Sequence, residues 1–277
     1  MILRRMQYAD RAQAAKLWFD IFGDTEAFTA WYFGERFSPD ESFAAFDGER
    51  LVAMTLGRGT EIRVEGKTHK ALLISGVSTL PDYRGNGLMH RLVSMQIEDA
   101  KQKGYACCYL HPVAESLYAK LGFQNGTYAS LVQSDPNRTH APYTIRVGTD
   151  AETMRTVYDS LLVRYNGMQL RDKAEIEALL RDYGADGFTM LTAYENGEPV
   201  GYCIALNDGT VSELFAFSPD AYAALLDEAA RRAGTELTAI APTDCGLIGE
   251  RVYSMQYLVF NDAFRLPLQN GFCRLSY

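Results

Sequence analysis

The run Val77-Ser78-Thr79-Leu80-Pro81-Asp82-Tyr83-Arg84-Gly85-Asn86-Gly87-Leu88-Met89 reads as a strand closed by proline, a glycine turn and the start of a helix. Small residues in such a turn let the main chain approach a ligand closely. The amides of a first helical turn lack partners within their own helix, and the helix dipole adds positive potential, so the segment suits an anion such as phosphate. Arg84 adds a fixed positive charge that either pairs with a phosphate oxygen or orders the loop. An ordinary strand-to-helix connection would use Gly85 and Gly87 only for turning. A Gly-x-Gly by itself does not decide between the two.

The elements around this turn follow from hydrophobic spacing. Leu88 to Lys103 puts Leu88, Leu92 and Met95 on one face and predicts a helix, with Gly104 suited to its C-terminal cap. Tyr105 to Leu110 then reads as a short buried strand, Ala114 to Leu121 as a helix and Phe123 to Val132 as a strand. Upstream, Ala14, Leu17, Trp18 and Ile21 share a face of a predicted helix from Ala9 to Phe22. Phe28, Trp31, Tyr32, Phe33 and Phe37 are either a second helix packing its rings inward or the wall of a binding groove. Asp47-Gly48 and Glu65-Gly66 sit between apolar runs and predict two hairpins, hence an antiparallel meander before the glycine turn. Strands followed by helix, strand, helix and strand imply an α/β fold with a mixed sheet.

The polar stretch Gln133 to Pro142, with two prolines, reads as a linker and divides the chain into 1–137 and 138–277. Tyr143 to Val147 and Asp150 to Tyr165 predict another strand and helix. Leu191 to Val200 echoes Phe43 to Val52, and Val211 to Pro219 echoes Ile74 to Pro81, with a helix from Ala221 to Ala233 behind it. Pro219 is followed by neither an arginine nor a glycine, so the second half keeps the pattern without the turn chemistry.

With 277 residues, 47 % of them hydrophobic and 22 % charged, the chain is long enough for two domains with substantial cores. Its 35 acidic against 27 basic residues give a net charge of −8, which disfavours nucleic acid and anionic membrane as partners. Five cysteines (Cys107, Cys108, Cys203, Cys245, Cys273) make no CxxC pair or zinc-spaced cluster, so we expect buried thiols, no metal and a reducing, cytoplasmic location. The start lacks a secretory apolar segment, and no run is long and apolar enough to span a membrane.

Arg84-Gly85-Asn86-Gly87 after a proline-closed strand, followed some thirty residues on by Leu117-Tyr118-Ala119-Lys120-Leu121-Gly122-Phe123, resembles the GNAT superfamily of acyl-CoA-dependent N-acetyltransferases. The family's (Arg/Gln)-x-x-Gly-x-(Gly/Ala) pattern, which binds the coenzyme A pyrophosphate, falls here on Arg84, Gly87 and Met89. Met89 departs from the small residue of that pattern. Gly76-Val77-Ser78-Thr79 and Tyr118-x-x-x-Gly122-Phe123 are similar to the Eis-like branch, whose members carry a second, degenerate GNAT domain and then a sterol-carrier-like third domain. The resemblance therefore implies two tandem GNAT-like domains, the second degenerate, without a full third.

It further implies acetyl-CoA as co-substrate, held by Val77, Ser78, Thr79, Arg84, Gly85, Asn86, Gly87, Leu88 and Met89. The main-chain N–H groups near Val77 and Thr79 would hold the acetyl carbonyl and the pantetheine arm. Tyr118 is the counterpart of the family's general acid, although its position beside Leu117 equally suits a core aromatic. No base is evident: Asp24, Glu26, His111 and Glu115 are candidates, each equally readable as a cap or surface charge; in the branch a C-terminal carboxylate has that role, and Tyr277 would be the analogous group, although the resemblance does not extend to that position. The acidic and aromatic side chains between Asp24 and Phe37 would suit a cationic acceptor.

The expected activity is acetyl transfer to a primary amine, either a small cationic or aminoglycoside-like molecule or a lysine side chain, in a chain able to form a homo-oligomer. A non-catalytic acyl-CoA sensor is the alternative. A transferase using an aminoacyl donor such as charged tRNA fits the glycine turn and the acidic charge poorly.

Overall fold

The first sheet is buried on both faces, its successive residues going to two helical layers. β1 (Ile2–Arg5) leads through a 3-10 turn into α1 (Arg11–Phe22) and α2 (Glu26–Trp31), which continues as a π-turn over Tyr32–Arg36. β2 (Phe43–Asp47), β3 (Arg50–Val64) and β4 (Lys67–Thr79) form the expected meander, followed by α3 (Leu88–Gln102), β5 (Cys107–Leu110), α4 (Glu115–Ala119) and β6 (Gln124–Gln133). The second half contains β7 (Thr144–Val147), α5 (Ala151–Leu162), α6 (Lys173–Asp186), β8 (Phe188–Glu195), β9 (Glu198–Leu206), β10 (Val211–Ala216), α7 (Pro219–Ala233), β11 (Thr238–Ala241) and β12 (Gly249–Val259). This computed structural model describes residues 1–273 apart from Pro136, Thr139, Ala141, Pro142, Thr149 and Asp208.

The chain forms two compact units. The first is Met1–Gly126 with Met255–Pro267, and the second is Thr127–Ser254 with the described residues from Leu268 onward. Where the polar stretch placed the division at 137/138, the units part at 126/127, inside β6, and the chain returns to the first unit late. The reason is strand pairing: Gln256↔Leu110, Tyr257↔Tyr109, Leu258↔Cys108 and Val259↔Cys107 give β5 its antiparallel neighbour. Composition near residue 137 carries no trace of that return.

In the first unit the order is β1-β2-β3-β4-β5 and then the end of β12, antiparallel throughout except for β4 beside β5. Even-numbered residues Ala44, Phe46, Met54 and Leu56 face α1 and α2, where Trp18, Trp31, Tyr32, Phe33 and Phe37 pack. Those rings are therefore core, which settles the choice left open by the sequence. The odd positions Phe43, Ala45 and Ala53 meet Leu88 and Leu92 of α3 on the other face.

The second unit carries β6, β11, β10, β9, β8 and β7 in that order, with β10 and β11 parallel and the other registered pairs antiparallel. α5 and α6 cover one face and α7 the other. Both units are thus mixed α/β sandwiches, as the spacing predicts. α6, β11 and β12 have no counterpart among the elements read from the sequence.

All five cysteines are buried and free. Among the described residues no helix is long and apolar enough to cross a membrane.

Tyr257 carries the return strand into the first unit: it is fully buried and stacks on Tyr109 at 5.6 Å with an interplanar angle of 13°. Tyr257→Ala should therefore lower unfolding free energy by about 3–5 kcal/mol in denaturant melts, as expected for deleting a core aromatic ring.

Candidate active site

Strand pairing opens the site. The parallel register between β4 and β5 covers Ala71↔Cys107, Leu72↔Cys108 and Leu73↔Tyr109, and among the described residues it goes no further. Beyond Leu73, β4 keeps only β3 as a registered partner. The Leu80 amide donates to the Val52 carbonyl at 2.9 Å. Since amides alternate between the two edges of a strand, those of Thr79 and, two residues back, Val77 point to the edge that β5 has left.

A bulge sharpens this opening. Leu56 pairs with Ser75 and Met54 with Ser78, so Thr55 alone is opposed by two residues, Gly76 and Val77. Gly76 has φ +54, and a Cβ there would lie 2.6 Å from the Trp18 ring. Conformation and space thus both demand glycine. Trp18 is held in turn by stacking on Tyr32 at 4.7 Å and by donating from Nε1 to Asp24 Oδ2 at 2.6 Å. Tyr32 and Ser75 share a hydroxyl–hydroxyl hydrogen bond of 3.0 Å just before the bulge, and burial raises the Tyr32 phenol above its ordinary pKa.

After Thr79 the chain makes a 3-10 turn at Pro81–Tyr83, anchored where Tyr83 donates its hydroxyl proton to Asp47 Oδ2 at 2.7 Å. Arg84 Nε donates to the Thr79 carbonyl at 3.1 Å, and Asn86 Nδ2 to the Tyr83 carbonyl at 3.2 Å. Arg84 therefore orders the loop with one nitrogen and keeps the rest of its guanidinium on the exposed side. Gly85 and Gly87 have φ +80 and +68, with open space where a Cβ would stand. Gly87 is the N-cap of α3, and no side chain caps this helix. The first-turn amides, beginning at Leu88 and Met89, face out behind an exposed loop, which is the arrangement that accepts an anion.

Tyr118 comes from α4 and is 6 % exposed. It lies in an apolar cluster with Leu72, Ile74, Val93 and Leu110, against which Val77 and Met89 also pack. The fold thus gathers Val77, Met89 and Tyr118, members of three separate elements, around one cluster. Phe123 meets the Tyr118 ring edge-on at 5.9 Å. Burial pushes the phenol up to about 12, and its hydroxyl has no hydrogen-bond partner among the described residues. Tyr118 is therefore both a core ring and a protonated, unengaged hydroxyl.

The other candidates are spread out. Asp24 reaches the bulge only through the Trp18 indole. Glu26 is exposed and lines a separate cavity of about 610 Å³ between α1 and α2. Glu115 accepts from Asn125 Nδ2, and His111 is exposed. Tyr277 lies outside the described residues. The sequence reading missed Trp18, Ser75 and Thr55 as neighbours of the site; the glycine inside an apolar strand at Gly76 was the available signal.

The fold defines a mixed α/β protein with GNAT-like neighbours. A GCN5-related N-acetyltransferase from Anabaena variabilis superposes with a TM-score of 0.74 at 13 % identity, over 94 % of this chain and 73 % of the other. A conserved protein of unknown function from Enterococcus faecalis gives 0.73 at 17 %, over 93 % and 72 %. Eis1 from Mycobacterium abscessus gives 0.70 at 14 %, over 94 % and 74 %. At these identities the likeness is one of fold. No curated protein sequence matches the chain. Residues 3–126, the segment that contains the site, match the family model of the acetyltransferase (GNAT) domain.

Two outcomes follow. Gly76→Ala should cost about 2–4 kcal/mol, combining a left-handed alanine with overlap on Trp18, as read from denaturant midpoints. Arg84→Ala should weaken binding of ADP, used as a diphosphate probe, by about tenfold in calorimetry, with a smaller salt dependence than the parent protein.

Proposed function

We propose that the first unit transfers an acetyl group from acetyl-coenzyme A to a primary amine. The observation that carries this reading is the uncapped N-terminus of α3 behind Gly85 and Gly87, in a segment of the GNAT acetyltransferase family. The residues suit the donor: small turn residues leave room, first-turn amides offer unpaired donors, and Arg84 adds charge. Leu88 and Met89 amides with Arg84 would hold the diphosphate, and the Thr79 and Val77 amides the acyl carbonyl and pantetheine arm. The bound thioester supplies an activated acyl carbon.

Tyr118 acts as the acid. Its Oη keeps its proton across the physiological range and has no competing partner in the fold, so it can protonate the departing sulfur as negative charge develops there. The Thr79 and Val77 amides favour the charge that grows on the carbonyl oxygen, and they are held in place beforehand by the bulge. A cationic amine acceptor would be favoured by Asp24, the carboxylate joined to the Trp18 indole beside Gly76, rather than by Glu26, which faces a separate cavity.

The second unit is a degenerate relative of the first. Two antiparallel pairings, a helix and a parallel strand recur in β8-β9-β10-α7-β11 as in β2-β3-β4-α3-β5. Its helix begins at Pro219 with the Ser218 hydroxyl accepting from the Ala221 amide at 3.3 Å, so that terminus is already capped.

The test is thiol release from acetyl-coenzyme A with a panel of amines, alongside donor binding by calorimetry. Tyr118→Phe should lower kcat by about a hundredfold or more and leave donor affinity within about threefold, because the hydroxyl supports no fold contact. Turnover of the parent protein should show no alkaline loss from Tyr118 until pH nears about 12. Donor binding without turnover on any amine would favour the sensor reading, and absence of donor binding would overturn both.

A further inference from the structure

Gln96 is the one amide side chain on the buried face of α3, otherwise formed by Leu88, Leu92, Val93, Ile97 and Ala100. It is 1 % exposed. Its Oε1 accepts from Thr55 Oγ1 at 2.6 Å, and its Nε2 donates to the Glu41 carbonyl at 2.7 Å. A buried amide in an apolar face is costly unless its polar atoms are satisfied, and here both ends are engaged. Thr55, fully buried, is the residue that stands alone opposite Gly76 and Val77 in the bulge. A Cβ at Gly57 would lie 2.5 Å from Gln96 Nε2 and overlap the Glu41 carbonyl oxygen, so glycine there makes room for the same amide. Ser42 Oγ accepts from the Gly57 amide at 3.2 Å.

Three sequence choices on β3 and α3 therefore depend on one hydrogen-bonded contact, and that contact ties α3 to the strand that defines the bulge. Gln96 lies nine residues past Gly87, about 13 Å down the helix axis from the uncapped terminus at the rise of an α-helix. Apolar residues alone would let α3 slide or rotate by a fraction of a turn over the sheet at small cost. A directional pair of hydrogen bonds at fixed lengths does not.

We infer that Gln96 and Thr55 are positioning residues that fix the distance and angle between the anion seat at the start of α3 and the bulged segment of β4. The inference rests on the donor reading above. A donor that spans both places binds well only if the two are held at the right separation, whereas a ligand that uses the seat alone does not feel that separation. The lock should matter to the whole donor and be invisible to its nucleotide half.

The experiment compares acetyl-coenzyme A with 3′-phosphoadenosine 5′-diphosphate, the nucleotide half of coenzyme A, by calorimetry, together with kcat and KM. Thr55→Val keeps the side-chain shape and deletes the hydroxyl; Thr55→Ser keeps the hydroxyl. The expected result is a loss of about tenfold in kcat/KM and in acetyl-coenzyme A affinity for Thr55→Val, with nucleotide-half affinity unchanged and Thr55→Ser close to the parent. Gln96→Met is the second variant and should split the two ligands in the same way if Thr55→Val does not fold. Equal weakening of both ligands, no weakening of either, or failure of Thr55→Ser to restore the difference would overturn the lock. If the parent protein binds neither ligand, the donor reading itself fails, a result distinct from failure of the lock.

Discussion

A strand that leaves its parallel neighbour leaves amides without partners, and the site depends on that departure of β4 from β5 after Leu73. Unpaired amides are costly when buried and useful only where a ligand or water can reach them. The fold meets this constraint with two devices. The bulge at Gly76 and Val77 opposite Thr55 keeps β4 registered with β3 while its other edge opens. The proline turn and Gly87 then start α3 immediately, so a second set of unpaired amides lies just past the first.

These devices explain the aromatic investment on the other face of the sheet. A left-handed glycine in mid-strand gives up side-chain contacts and weakens its strand. Trp18 fills the space above it, and Tyr32, Phe28, Phe22 and Phe33 surround Trp18 with ring centroids 4.7 to 6.1 Å away. The π-turn at Tyr32–Arg36 carries Tyr32 to Ser75 and Phe37 back into the cluster. The choice between core and groove wall for these rings is therefore resolved by Gly76: rings that cover a strained strand are core.

Local patterns made much of the first unit legible. Asp47-Gly48 and Glu65-Gly66 announced hairpins because a two-residue turn of the required twist needs positive φ, and both turns formed where expected. α3 followed from its spaced leucines, and the uncapped turn from its glycines. The strand exchange was illegible, because Met255 to Val259 pairs with residues some 150 positions earlier and nothing in its own composition names that partner. Tyr118 was ambiguous for a physical reason: burial and an unengaged hydroxyl coexist in one side chain, and only the surrounding cluster separates the two properties.

The second unit repeats the strand and helix order of the first with different groups at the corresponding places. β10 has a register shift between Val211 and Glu213, near the place where β4 has its bulge. Glu213 there is fully buried, ion-paired to Arg171 at 2.8 Å, and accepts from the Tyr202 hydroxyl at 2.8 Å, while Arg171 lies over the Tyr158 ring at 4.2 Å. The Coulombic pull of Glu213 raises the Arg171 pKa despite burial. Breaking a buried pair of this kind leaves an uncompensated charge, so each partner is costly to remove. Ser218 caps α7 in the same spirit, taking the amide that α3 leaves open. One sheet order thus supports two outcomes, and the difference lies in a few residues: glycine or serine at the helix start, and a bare bulge or a buried ion pair in the strand before it.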